Sequence, residues 1–254
     1  MRIIISPAKK MDEKLDTLEY YQTPHFVEKT EYLLAYLKTL SYAELKSIWK
    51  CNDSIAEHNY RRVQMMNLHK NLTPYLLSYT GLQFTYIAGE VLESGQIEYL
   101  EEHLRILSGF YGILRPFDGV VPYRLEMQAI LKNWHTNSLY DFWGDSLARK
   151  LLSESDCIVN LASKEYTKCI VPYLKKDTTV VTCVFGEIKN GKVIEKGTYA
   201  KMARGEMVRF MAENGIEALE EIKQFDRLNY TYAETLSDEK NMSSLGIDSQ
   251  LVTS

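Results

Sequence analysis

Residues 103–127 read HLRILSGFYGILRPFDGVVPYRLEM. Three arginines, Arg105, Arg115 and Arg124, stand among three glycines and two prolines. Gly109 and Gly112 permit backbone geometry or close approach that a side chain would forbid. Pro116 and Pro122 stiffen the turns beside two of the arginines. A guanidinium is a fixed fork of donors suited to phosphate or carboxylate. Arginines on a stiffened, glycine-opened backbone point to a surface that contacts anions. A second block, Leu139-Tyr140-Asp141-Phe142-Trp143-Gly144-Asp145, adds aromatics and two carboxylates.

Working outward, Arg2–Ser6 reads as a buried strand, because three consecutive isoleucines favour an extended interior segment. Residues 26–40 carry apolar side chains at helical spacing. Ser41-Tyr42-Ala43-Glu44 is a capping-box signature for the next helix. Residues 53–66 read as a helix with Ile55, Val63 and Met66 inward and Arg61-Arg62 partly outward. Leu76–Tyr79 reads as a short strand, and residues 95–104 as a helix capped by Ser94. Ser138–Leu152 is an amphipathic helix and Cys157–Ala162 a second buried strand. Ser163 stands where it could cap a helix running to about Tyr173. Thr178–Ile188 is β-branched and extended. Asn190-Gly191 signals a hairpin turn, with Lys192–Glu195 as the return strand. Thr198–Asn214 is a helix stopped by Gly215, and Leu228–Thr235 alternates weakly as a strand. The polar tail from about residue 237 reads as loosely ordered. Strands and helices mix without strict alternation, so the expected fold class is α/β. A mixed sheet is flanked by helices, in one domain spanning residues 1–254.

No apolar run is long enough to span a membrane, and residues 1–7 are too brief for a signal-peptide core. The chain reads as cytoplasmic. Its four cysteines, Cys51, Cys157, Cys169 and Cys183, form no CxxC pair, and its five histidines show no HxxxH or HExxH spacing. No metal site and no cofactor are expected. GxGxxG and P-loop motifs are both absent. Net charge is −4, which does not by itself predict nucleic-acid binding. The distribution is uneven: residues 160–210 hold ten Lys/Arg against five Asp/Glu, and residues 211–254 hold three against nine.

Ligands in open α/β sheets gather beyond the carboxyl ends of parallel strands. Three junctions share one form, an apolar strand followed by small polar residues: Ile5-Ser6-Pro7-Ala8-Lys9, Ser78-Tyr79-Thr80-Gly81 and Asn160-Leu161-Ala162-Ser163-Lys164. If these strands are parallel neighbours, Lys9, Asn160 and Ser163 converge there. On the helix from Thr198, Tyr199, Ala203, Met207 and Phe210 form the expected buried side, with Lys201, Arg204, Gly205 and Val208 opposite. A mid-helix glycine costs about 1 kcal/mol relative to alanine. Gly205 therefore marks either close approach of a ligand or tight packing of a second helix. Glu126, and Asp141 with Asp145 at i, i+4, could do acid–base work or hold an arginine in place.

The chain resembles the YaaA family of peroxide stress response proteins. The resemblance is carried by Ile5-Ser6-Pro7-Ala8-Lys9, by the stretch from His103 through Arg115-Pro116 to Met127, and by Leu139-Tyr140 with Phe142-Trp143-Gly144-Asp145. It is carried further by Asn160-Leu161-Ala162-Ser163 with Glu165-Tyr166, and by Tyr199-Ala200-Lys201 with Ala203-Arg204-Gly205. It implies a cytoplasmic protein that limits peroxide damage and binds duplex or branched DNA through a positively charged cleft. It also implies a distinctive mixed α/β fold with a helix-hairpin-helix element, placed here at Leu107–Gly112; a strand ending at Ser108 is the alternative. Under the DNA reading, Lys9, Arg115, Arg124, Lys201 and Arg204 contact phosphates, and Gly109, Gly112 and Gly205 allow close approach. The alternative is an enzyme acting on a phosphorylated or nucleotide-like small molecule, with Glu126, Asp145 and Ser163 as catalytic candidates. An enclosed cavity with a perturbed carboxylate favours the enzyme, and a broad basic groove favours DNA.

Overall fold

Three isoleucines in a row place apolar side chains on both faces of a strand, which suits a strand covered on both sides. The computed structural model describes residues 1–13, 18–131, 134–136, 138–189, 192–237 and 241–246. It sets that strand, β1 (Arg2–Ile5), inside the main sheet, with Ile3, Ile4 and Ile5 buried. Helices α1 (Val27–Thr39), α2 (Tyr42–Trp49) and α3 (Asp53–Met65) follow, then the short strand β2 (Thr73–Pro74). Next come helices α4 (Tyr75–Ser78), α5 (Leu82–Ile87) and α6 (Ser94–His103), and strands β3 (Leu104–Ser108), β4 (Gly112–Leu114) and β5 (Gly119–Val120). Helices α7 (Leu139–Trp143) and α8 (Ser146–Leu152) lead to β6 (Cys157–Asn160) and the single turn α9 (Lys164–Thr167). Strands β7 (Thr179–Lys189) and β8 (Lys192–Ile194), helix α10 (Gly197–Asn214), and strands β9 (Tyr230–Tyr232) and β10 (Asn241–Gly246) complete the order.

The main sheet runs β4-β3-β1-β6-β7-β10-β9, with β8 paired to β7. Strands β3, β1, β6, β7 and β10 are parallel neighbours, while β4, β8 and β9 are antiparallel to theirs. Ile3 pairs with Leu104 on one side and Val159 on the other. The fold is thus the expected mixed α/β arrangement, around one connected apolar core. The chain leaves β1 to reach β3 on one side and later returns to β6 on the other. Connections diverge at β1, so a crevice opens beyond the carboxyl ends of β1 and β6.

Local chemistry explains much of the rest. The Ser41–Glu44 capping box closes the start of α2, and Asn52 caps α3 through the Ile55 N–H. Gly215 ends α10 in the left-handed region. Several expectations change. Leu76–Tyr79 is not a strand: residues 75–78 form α4, and Tyr79 makes only an isolated bridge to Met11. The helix expected over 138–152 breaks at Gly144 into α7 and α8, with Ser138 capping the first. Ile55, expected inward, is exposed, and Glu93 rather than Ser94 is the N-cap of α6.

At Leu107–Gly112 the alternative reading holds: a strand, β3, ends at Ser108. The helix-hairpin-helix element placed there is instead the turn of a β-hairpin, in which Ser108 of β3 pairs with Gly112 of β4. The Ser108 hydroxyl accepts the Phe110 and Tyr111 N–H groups and closes the turn. Gly112 has φ +83°, a conformation a side chain would strain. The tail expected to be loose carries β10, which joins the sheet beside β7. The Asn190-Gly191 turn lies outside the described residues, although Lys189 and Lys192 pair across it.

Candidate functional site

A cleft of about 360 Å³ lies at the divergence point. Its walls are the loop after β1, the start of α5, the segment 123–126, the loop after β6, and α10. The two strand ends are tied together by their serines: Ser6 Oγ lies 3.1 Å from Ser163 Oγ and accepts the Ser163 N–H at 2.8 Å. Gln83 of α5 reaches the Ser6 carbonyl at 3.4 Å. The Ser163 hydroxyl oxygen accepts from Ser6 and does not cap α9.

Five cations line this cleft: Lys9, Lys10, Arg124, Lys201 and Arg204. Two carboxylates, Glu126 and Glu165, face them. Lys9 Nζ lies 2.9 Å from Glu126, and Arg124 Nη2 lies 3.5 Å from the same carboxylate. Arg124 also donates to the Lys9 carbonyl at 3.4 Å. Across the cleft, Arg204 is held by Glu195 at 2.9 Å. Each of these arginines keeps a buried Nε–H without a hydrogen-bond partner among the described residues. Burial pushes the Glu165 carboxyl above its ordinary value, and nearby Glu126 adds to the rise. Glu165 accepts the Gln128 N–H at 3.2 Å, which partly offsets that cost.

Helix α10 presents Lys201 and Arg204 to the cleft because α5 packs on its neighbouring face. A Cβ on Gly205 would stand 2.1 Å from the Gln83 carbonyl oxygen and 2.9 Å from Tyr86 Cβ. The close approach at Gly205 is therefore to a second helix. That packing also buries Val208, so α10 is covered on two sides, while Tyr199, expected inward, is exposed.

Tyr123, which lines the cleft, is held by buried hydroxyls. Tyr75, Tyr79 and Tyr123 form a triangle of hydrogen bonds at 2.5, 2.9 and 2.8 Å. Ser108 lies 2.6 Å from the Tyr123 hydroxyl. Each of the four hydroxyl protons thus has a hydroxyl oxygen to donate to, as buried polar groups require. The network anchors the segment that carries Arg124 and Glu126 to the β3–β4 hairpin and to α4.

The sequence-derived residues divide clearly. Ser6, Lys9, Arg124, Glu126, Ser163, Lys201 and Arg204 meet in the cleft. Asn160 lies beneath it, bonded to the Ala162 N–H and to Thr182. Arg115 sits elsewhere, in a small hollow with Gln22, His25, Arg105, Asp118, Lys150 and Glu154. Gly109 packs against the backbone of Leu125–Met127, and Gly112 against Trp143 and Leu147, so both approach protein. Asp141 bonds Ser138, and Asp145 makes an exposed pair with Arg149, so neither reaches the cleft. Lys10, Gln83 and Glu165 were missed. Lys10 adjoins Lys9, and Glu165 lies two residues after Ser163, which were the available signals.

Among the described residues, no three or more His, Cys, Asp or Glu side chains gather as metal ligands, and no helix is long and apolar enough to cross a membrane. Residues 1–236 match the family model described as peroxide stress protein YaaA. Similar chains include a UPF0246 protein of Lachnoclostridium phytofermentans, 58% identical over 242 residues that cover 95% of each chain. A UPF0246 protein of Pediococcus pentosaceus is 50% identical, over 95% of this chain and 96% of its own. One from Agathobacter rectalis is 52% identical, over 94% and 96%.

Proposed function

The chain belongs to the peroxide stress protein YaaA family, and we propose that it serves that response in the cytoplasm by holding DNA through phosphate contacts in this cleft. The supporting observation is the convergence of Lys9, Lys10, Arg124, Lys201 and Arg204 on one opening with two carboxylates. Phosphate contacts position a nucleic acid without reading its bases, which suits a protein acting on damaged DNA of any sequence. Glu126 holds Lys9 and Arg124 in place and gives them up to a phosphate. The test is a DNA-binding titration comparing wild type with Lys201→Ala/Arg204→Ala, with folding checked by thermal melting. Weaker binding by a folded double variant supports the reading; equal binding removes α10 from the site and overturns it.

A second reading is favoured by one observation, the raised Glu165 carboxyl inside a cavity of ligand size. Here the cleft takes a phosphorylated or nucleotide-like small molecule, and Glu165 or Glu126 moves a proton on it. Turnover of a phosphorylated compound that Glu165→Gln abolishes would establish this reading. A nucleotide that binds no better than inorganic phosphate would remove it.

A further inference from the structure

A larger hollow, about 620 Å³, opens beside the cleft and is not used by it. It is lined on α3 by His58, Arg61 and Arg62, and beyond α3 by Asn67, Lys70 and Asn71. The two concavities adjoin along one short segment: Val121 and Pro122 line the hollow, while Tyr123 and Arg124 line the cleft. On the opposite edge, Lys9 and Lys10 line the cleft and Glu13 the hollow. A strand of phosphates leaving Arg124 and Lys10 therefore meets α3 next.

We propose that the α3 hollow is a second phosphate-contacting surface, and that one DNA strand runs from the cleft across residues 122–124 onto Arg61, Arg62 and Lys70. This extends the DNA reading and rests on it. The side chains suit the task. Arg61 pairs only with Glu57 among the described residues, and both are mostly exposed, 71% and 60%. An exposed pair of this kind contributes little, so a phosphate can replace Glu57 at small cost. Lys70 and His58 are exposed. Asn67 and Asn71 add amide donors of the sort that bond sugar and phosphate oxygens. The carboxylates in the hollow, Glu13 and Glu57, are fewer than its basic groups.

The test uses the full chain and two probes: a duplex long enough to span both concavities, and deoxyadenosine monophosphate, which is too short to bridge them. Arg61→Ala/Lys70→Ala is compared with Lys201→Ala/Arg204→Ala and with wild type. The α3 variant is expected to bind the duplex severalfold more weakly, with a salt dependence shallower by about two counterions, and to bind the monophosphate as wild type does. If the α3 variant keeps wild-type duplex affinity and salt slope while the α10 variant loses both, this inference is overturned and the cleft reading stands. Equal loss of the monophosphate in the α3 variant also overturns it, since a disturbed fold then explains the result. If neither variant weakens the duplex, the cleft reading fails with it.

Discussion

Replacing Gly205 with alanine separates the two explanations for a glycine in the middle of α10. On a solvent-facing helix surface, Gly→Ala is stabilising by about 1 kcal/mol. Here the new Cβ falls 2.1 Å from the Gln83 carbonyl oxygen, 3.0 Å from its carbon and 2.9 Å from Tyr86 Cβ. Two of these atoms are backbone and cannot rotate away, so α5 and α10 must move apart by roughly 1 Å. Overpacking of this kind costs about 1–3 kcal/mol even where side chains can yield, and the clash is deeper than usual. Net of the helix-propensity gain, the variant should lose about 2 kcal/mol. For a chain of this length that lowers Tm by roughly 4–8 °C. Moving α5 also shifts Gln83 from Ser6 and loosens the cleft wall, so DNA affinity should fall as well. Urea and thermal unfolding read the first effect. A Gly205→Ala protein as stable as wild type, or more stable, refutes close packing of α5 on α10.

Two further outcomes follow from buried polar groups. Burial raises the Asp118 carboxyl to about 7, against an ordinary value near 3.8. The folded protein therefore keeps a proton that the unfolded chain has lost. The resulting stabilisation is complete below pH 3.8 and disappears as pH rises through about 7, amounting to at most about 4 kcal/mol. Asp118→Asn retains an acceptor for the Arg115 N–H and should flatten that decline, as urea unfolding from pH 5 to 8.5 would reveal; an unchanged slope would place the carboxyl's ionisation elsewhere. Tyr75→Phe removes one corner of the hydroxyl triangle and should cost about 1–3 kcal/mol in the urea midpoint, with a cost near zero arguing against the network.

Much of the frame was legible in short patterns. Ile3–Ile5 reads as a buried strand and Cys157–Asn160 repeats its character, so a convergence of Lys9 and Ser163 could be drawn on the condition, met in the fold, that the two strands are parallel neighbours. The capping box at Ser41 and the Gly215 stop are local chemistry and survive in the fold. What could not be read depends on distant partners. Arg115 and Arg124 look equivalent along the chain, yet the turn at 116–122 sends them to different hollows. There Gln22 and Glu101 approach Arg115, and Lys9 and Glu126 approach Arg124. Periodicity assigned α10 one buried face, but α5 covers a second, so Gly205 and Val208 became interior. Leu107–Gly112 was ambiguous because its glycines suit either hairpin type; pairing with β1 through β3 decides it. Glu165 carried no pattern of its own, since its role arises from burial beside Glu126.

If the cleft holds nucleic-acid phosphates, DNA affinity falls steeply with salt, and a titration over varied salt reads that dependence. Five cations line the cleft, and each phosphate neutralised contributes about −0.9 to the slope of log affinity on log salt. With Lys9 and Arg124 partly engaged by Glu126, wild-type protein should show a slope between about −3 and −4.5, steeper still if α3 takes part. A slope near zero would mean that the cleft holds no phosphates.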